Sequence, residues 1–389
     1  MQGSVPFGAE PCFYAFILIF GCEDKVRKEE IKDTLKYTGA FIAWVIGSGF
    51  ATGQEIFQFF SSYSYMSFAA VLINLVFFIV LGKTLLTEGY DNRGKTDFNH
   101  YKYYCGEKIG KIYSFLIPVT LLMLISVIIS ASGAVMNQYY GLNRYAGSLL
   151  MAALVLISYL TGFEKMVKIV SSIGPVIIAF SVFVGIYISL RDIGNFSEIS
   201  QYTPELSKHG TSHDFVLSSL LYISLNFFCG SKYYTELGKT SKSRKSAYIG
   251  AVLGAILVVL TIFFINLAIL LNAGEVMNLP VPTLYFAKSI SNVAGAVFSV
   301  VLILGMFSSC STMVWSFCSG FFKNDSKKNK AFSLSTVFLC VLLGMLPFSK
   351  LVSVMYTIIG YLGLFFVVCV TVKGVKSKKN NKTSPQKDN

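Results

Sequence analysis

The chain has 389 residues, 54% of them hydrophobic and 14% charged, with a mean hydropathy of +0.61. Soluble domains carry roughly 25% charged residues, so a disordered chain, a coiled coil and an ordinary soluble enzyme are excluded. The net charge of +13 would point to nucleic acid in a soluble protein. Here the Lys and Arg stand between apolar runs, without the basic stripe and stacking aromatics that nucleic acid requires. No nucleic-acid partner is expected, and the composition leaves an all-α integral membrane protein in a lipid bilayer.

Residues 1–34 read as a tail. Cys12 to Cys22 is apolar but has no basic residue before it, so it makes a poor signal peptide, and it is too short to span. Either it is a disordered or interfacial tail, or translation starts nearer Val26. Ten apolar segments follow, at 37–61, 67–86, 112–138, 146–163, 166–190, 214–238, 246–272, 291–320, 331–347 and 351–373. An even count puts both termini on one side. The gaps on that side hold 28 of the 33 Lys and Arg, and those on the other hold five, Arg144, Arg191, Lys208, Lys288 and Lys350. Positive residues stay inside, so both termini are expected in the cytoplasm, with the chain in the cytoplasmic membrane.

Segment one carries the most informative stretch, Gly47-Ser48-Gly49-Phe50-Ala51-Thr52-Gly53-Gln54-Glu55. Three glycines so close make a continuous helix costly, at about 1 kcal/mol each relative to alanine. Small residues also let membrane helices pack closely, so composition alone leaves packing and a true break open. Glu55 favours the break, because a carboxyl inside a span costs about 2.5–3.5 kcal/mol and faces a cavity or a partner. An unwound segment offers N–H groups to an anion such as a carboxylate, and carbonyls to a cation. Gln54 and Thr52 add polar capacity.

Pro118 and Pro175 predict kinks in segments three and five. Lys165 and Lys168 open segment five, where a lysine could snorkel to the interface or replace a sodium ion. In segment six Asn226, Phe227 and Phe228 precede Gly230, and Asn226 and Gly230 flank a second candidate break. Lys232 and Glu236 stand four apart and could pair. Breaks in segments one and six would divide the ten into a five-plus-five inverted repeat, about 35–190 and about 214–373, the arrangement that marks a transporter's central site.

Pro280-Val281-Pro282 followed by Thr283 to Ser289 predicts a short outer helix over a vestibule. Segment eight holds Ser308, Ser309, Ser311 and Thr312, neutral oxygens suited to a sodium ion or, equally, to bonding their own helix. Gly360, Tyr361 and Gly363 in segment ten suit either packing or gating. The basic stretch 374–389 reads as a disordered tail near anionic lipid. Eight cysteines without a CxxC pair, and three histidines without ligand spacing, predict neither a disulfide framework nor a metal site beyond sodium. Membrane-depth carboxyls are too few for catalysis, so no enzyme is expected.

The string GSGFATGQEIFQFF at 47–60 closely resembles the first-helix signature of the YkvI-like bacterial membrane proteins. They belong to the amino acid–polyamine–cation transporter superfamily with the LeuT-type fold. The resemblance implies ten transmembrane helices, with helices one and six broken at a central site. It places a substrate carboxylate on Ser48 and Gly49 and a sodium ion on two hydroxyls of segment eight, with Ser308 and Ser309 the best-matched pair. Gln54 and Glu55 depart from the apolar residues or proline of many relatives.

The function expected is therefore secondary transport of a small solute, an amino acid or related zwitterion, coupled to sodium or protons. The solute would meet Gly47, Ser48, Gly49, Phe50, Thr52, Gly53, Gln54, Glu55, Asn226, Phe227 and Gly230, with Phe227 and Phe228 closing over it. The alternative is a non-transporting receptor subunit, as in spore-germinant receptors, binding the same class of solute.

Overall fold

The computed structural model describes residues 25–46, 48–94, 99–161, 174–319, 321–322 and 327–383. Residues 1–24, Gly47, Lys165 and Lys168 lie outside them. The described residues are helical, with no strand among them.

The first apolar segment is divided into α1 (Lys25–Val45), the single turn α2 (Ser48–Ala51) and α3 (Gln54–Phe59). Next come α4 (Met66–Asp91), α5 (His100–Tyr140), α6 (Arg144–Thr161), α7 (Gly174–Arg191) and α8 (Ile199–Leu206). The remaining elements are α9 (Phe215–Lys239), α10 (Arg244–Leu271), α11 (Pro282–Ile290), α12 (Asn292–Ser319) and α13 (Lys327–Leu343). A last rod, α14, joins Phe348–Leu351, a π-helical turn Val352–Tyr356 and Thr357–Thr383. The short helix predicted after Pro280 is α11.

By length and composition, six described helices can cross a membrane: α4, α5, α9, α10, α12 and α14. A seventh span results if α7 and the segment after it, bent by 77°, count as one. Among the described residues, length and composition alone therefore do not reach ten.

α1 begins ten residues earlier than the expected boundary at residue 35, because its charged first turns are tied down. The Asp33 carboxylate accepts from the Lys242 backbone N–H at 3.3 Å, and Lys245 reaches Glu30 at 3.4 Å. At the other end α14 continues to Thr383, into the stretch expected to be disordered. Between Gly374 and Thr383 there is neither glycine nor proline, and lysine is a good helix former. The irregularity of α5 falls at Gly106 (φ +80°, ψ 170°) rather than at Pro118. Pro175 lies in α7, and the residues before Gly174 lie outside the described ones.

Two packing groups result. α1, α4, α9 and α10 pack on one another, and α5, α6, α12 and α13 form the other set. α7 bridges α10 and α12, and α14 bridges α9 and α5. The broken segment lies between the groups, with α2 against α5 and α12 and α3 against α9 and α10.

The predicted break in segment six is absent. α9 runs unbroken from Phe215 to Lys239. The Asn226 amide donates to the Tyr222 carbonyl one turn back at 2.9 Å, as a helical side chain does. Gly230 provides room instead of a hinge: a Cβ there would land on the Trp44 indole, whose Nε1–H donates to the Asn226 carbonyl at 3.3 Å. Glu236 pairs with Lys239 at 2.8 Å, and no Lys232–Glu236 ion pair forms. Gly360 and Gly363 likewise seat α14 on α9, at Leu221 and at Ser224 and Phe228.

Candidate functional site

The break is built by local hydrogen bonding. Gly53 adopts φ +80°, ψ −10°, a left-handed conformation that glycine takes without steric cost. The Thr52 hydroxyl, fully buried, donates to the Gly49 carbonyl at 2.6 Å and accepts from the Gln54 N–H at 3.2 Å. The chain therefore turns and restarts as α3. Non-helical backbone at this depth requires protein or water to satisfy it, and protein does so here. The Phe50 carbonyl accepts from the Gly53 N–H, and the Gly53 carbonyl from Phe57. α11 supplies the rest: the Thr283 hydroxyl donates to the Ala51 carbonyl at 2.5 Å, and the Thr283 N–H to the Thr52 carbonyl at 3.3 Å. From Gly49 to Gly53 every carbonyl thus already accepts a hydrogen bond.

α11 is itself clamped. The Gln138 side chain of α5 donates to the Val281 carbonyl at 2.8 Å and accepts from the Val281 N–H at 2.9 Å. The two bonds fix the turn that delivers Thr283.

Glu55, in the first turn of α3, is only 7% exposed. Its carboxyl folds back over Gly49, beside the Tyr356 hydroxyl. A Cβ on Gly49 would collide with both Glu55 Oε1 and the Tyr356 hydroxyl. Tyr356 closes the π-helical turn of α14, and such turns occur often at functional sites. Several buried polar atoms on α3, α9 and α14 have no hydrogen-bond partner among the described residues. The Tyr222 hydroxyl and Gln54 Oε1 are among them, as are Ser224 and Thr357 on the neighbouring helices.

The predicted residues divide into those the break assembles and those it does not. Gly49, Phe50, Thr52, Gly53, Gln54 and Glu55 form one buried cluster. Ser48 opens α2, and Gly47 lies outside the described residues. Asn226 and Gly230 serve the α1–α9 contact described above. Phe227 packs among Phe41, Phe78 and Tyr234, and Phe228 among Tyr101, Tyr113 and Phe366, so both are committed to helix packing. On α12, which packs against α2, the Thr312 hydroxyl donates to the carbonyls of Ser308 and Ser309 at 3.1 and 2.9 Å. Ser311 Oγ is buried without a partner, while Ser308 and Ser309 are half-buried.

Sequence reasoning missed Tyr356 and Tyr222, single tyrosines in apolar runs with no local pattern to distinguish them. Thr283 had a partial signal, because the proline pair announced its helix but not what that helix would touch.

No family profile matches the chain. It is 24% identical over 348 residues to the membrane protein YkvI of Bacillus subtilis (strain 168), covering 87% of this chain and 96% of YkvI. It is 22% identical over 344 residues to the protein YyaD of the same organism, covering 88% of this chain and 98% of YyaD. Among solved structures, the inward-facing conformation of Mhp1 superposes with a TM-score of 0.51 at 13% identity, over 86% of this chain and 75% of Mhp1. The resemblance to the YkvI-like membrane proteins read at residues 47–60 is borne out over most of the chain, and the fold is LeuT-type.

Proposed function

We propose that the chain is a secondary transporter that moves a small solute, an amino acid or related zwitterion, across the cytoplasmic membrane by alternating access. The observation that carries this reading is the broken first segment, stretched between two packing groups with a buried carboxyl at the break. Discontinuous helices at the repeat interface are where LeuT-type transporters bind substrate. The solute's carboxylate would take backbone amides near Ser48 and Gly49, and Glu55 or Gln54 would take its amine or a proton. The partnerless Tyr222 hydroxyl and Gln54 Oε1 are polar capacity for such a ligand.

The drive is a sodium or a proton gradient. Ser308, Ser309, Ser311 and Thr312 are the candidate sodium ligands. Ser311 is the one whose hydroxyl is buried and uncommitted, which supports it above the Ser308–Ser309 pair. The 28-to-5 charge asymmetry supports cytoplasmic termini, which makes the Thr283 end the outer end. With Thr283 bonded into the break, this conformation is closed on that side.

The test is uptake of a labelled amino-acid mixture into proteoliposomes under imposed sodium or proton gradients. Gradient-driven accumulation is the expected result. Binding without uptake under either gradient would overturn transport in favour of a receptor subunit.

A further inference from the structure

We propose that Glu55 is the proton-binding site that couples transport, with Tyr356 as the positioning residue that holds its carboxyl in the break; this rests on the transporter reading above. The first support is enclosure. Glu55 is buried between the two packing groups, and no Lys, Arg or His among the described residues pairs with it. A carboxylate in that setting is costly unless it is paired or neutralised. A proton is the smallest ligand that neutralises it.

The second support is the cradle. Gly49 lacks the Cβ that would strike both the carboxyl and the Tyr356 hydroxyl. The glycine of the break therefore admits the carboxyl as well as the turn. The third is the partner's place in the fold. Tyr356 sits at the end of a π-helical turn in α14, the rod that bridges the two groups. A carboxyl that gains or loses a proton exchanges donor and acceptor roles with that hydroxyl, so the α3–α14 contact changes with occupancy.

Other titratable groups near α3 leave this role to Glu55. α9 presents Tyr222, whose hydroxyl has no partner. The turn after α3 presents Tyr63, whose hydroxyl is bonded to Ser212. His209 stands against Phe57, 5.2 Å between ring centres. α10 carries its own ionisable groups, Arg244, Lys245 and Tyr248, in its first turns, away from Asn266, which meets the turn after α3 through Ser61. The proton binds a Glu55 carboxylate oxygen from the outer solution and leaves to cytoplasmic water once the site opens inward.

The experiment is pH-difference infrared spectroscopy of the full-length protein in lipid, with no solute and no sodium. The expected result is a carbonyl stretch from a protonated carboxyl that is lost in Glu55→Gln and displaced in frequency in Tyr356→Phe. In Glu55→Asp, which keeps the carboxyl should Glu55→Gln fail to fold, the band persists at a shifted frequency. Glu88→Gln leaves the band in place and so separates it from the buried carboxyl that Tyr103 bonds at 3.0 Å. A band of full intensity in Glu55→Gln would overturn the proposal, as would its removal by sodium at fixed pH. Since no solute is present, these outcomes are independent of whether uptake is observed.

Discussion

The Thr283 hydroxyl reaches across from α11 to the Ala51 carbonyl, 232 residues earlier in the chain, at 2.5 Å. Its methyl group fills the space that the missing side chain of Gly53 leaves. One residue thus satisfies the unwound backbone and covers the glycine that permits the unwinding. α11 is thereby part of the site.

Replacing Thr283 by Val keeps the methyl and the N–H bond to Thr52 but removes the hydroxyl. A single hydrogen bond is worth about 0.5–1.5 kcal/mol net. The outward-open population should therefore rise by about 2- to 10-fold. The rate at which an external, membrane-impermeant maleimide labels the buried position Gln54→Cys would report this. An unchanged rate would show that Thr283 does not latch the outer side.

Gly49→Ala places a methyl on the Glu55 carboxyl and the Tyr356 hydroxyl. Overpacking of this kind costs about 1–3 kcal/mol, and the carboxyl is driven out of its cradle. Thermal stability and uptake should both fall. Adding Tyr356→Phe removes one of the two clashing oxygens and should restore part of the stability without restoring uptake. Full uptake by Gly49→Ala would disprove the cradle.

Glu55→Gln preserves shape and hydrogen-bonding capacity while fixing the side chain neutral. Accumulation driven by a proton gradient should vanish, whereas counterflow, which needs no net proton movement, should persist. The melting temperature should match that of the parent protein. Loss of both activities in a folded protein would instead assign Glu55 to direct binding of the solute's amine.

Gly230→Ala tests whether that glycine packs or hinges. The added methyl meets the Trp44 indole and Tyr234, so a loss of about 1–3 kcal/mol is expected. Trp44→Phe shortens the opposing ring and should recover part of it. A hinge glycine would show no such rescue, because its conformational requirement is independent of Trp44.

What the sequence determined by itself was the all-helical membrane character, the interruption before Gln54 and the short helix after Pro280. Each has a cause within a few residues: apolar runs exclude water, clustered glycines weaken a helix, and proline pairs start a new one. The same local logic misread Asn226 and Gly230. A glycine's lack of a side chain serves a bend or a neighbour's indole equally well, and only the packing of α1 against α9 distinguished the two uses. Tertiary structure alone decided that Glu55 would meet Tyr356, that Thr283 would occupy the break, and that Phe227 and Phe228 would be spent on packing. These contacts join residues up to 301 positions apart. No periodicity or spacing encodes them, because they depend on how the two groups of helices come together around the broken segment.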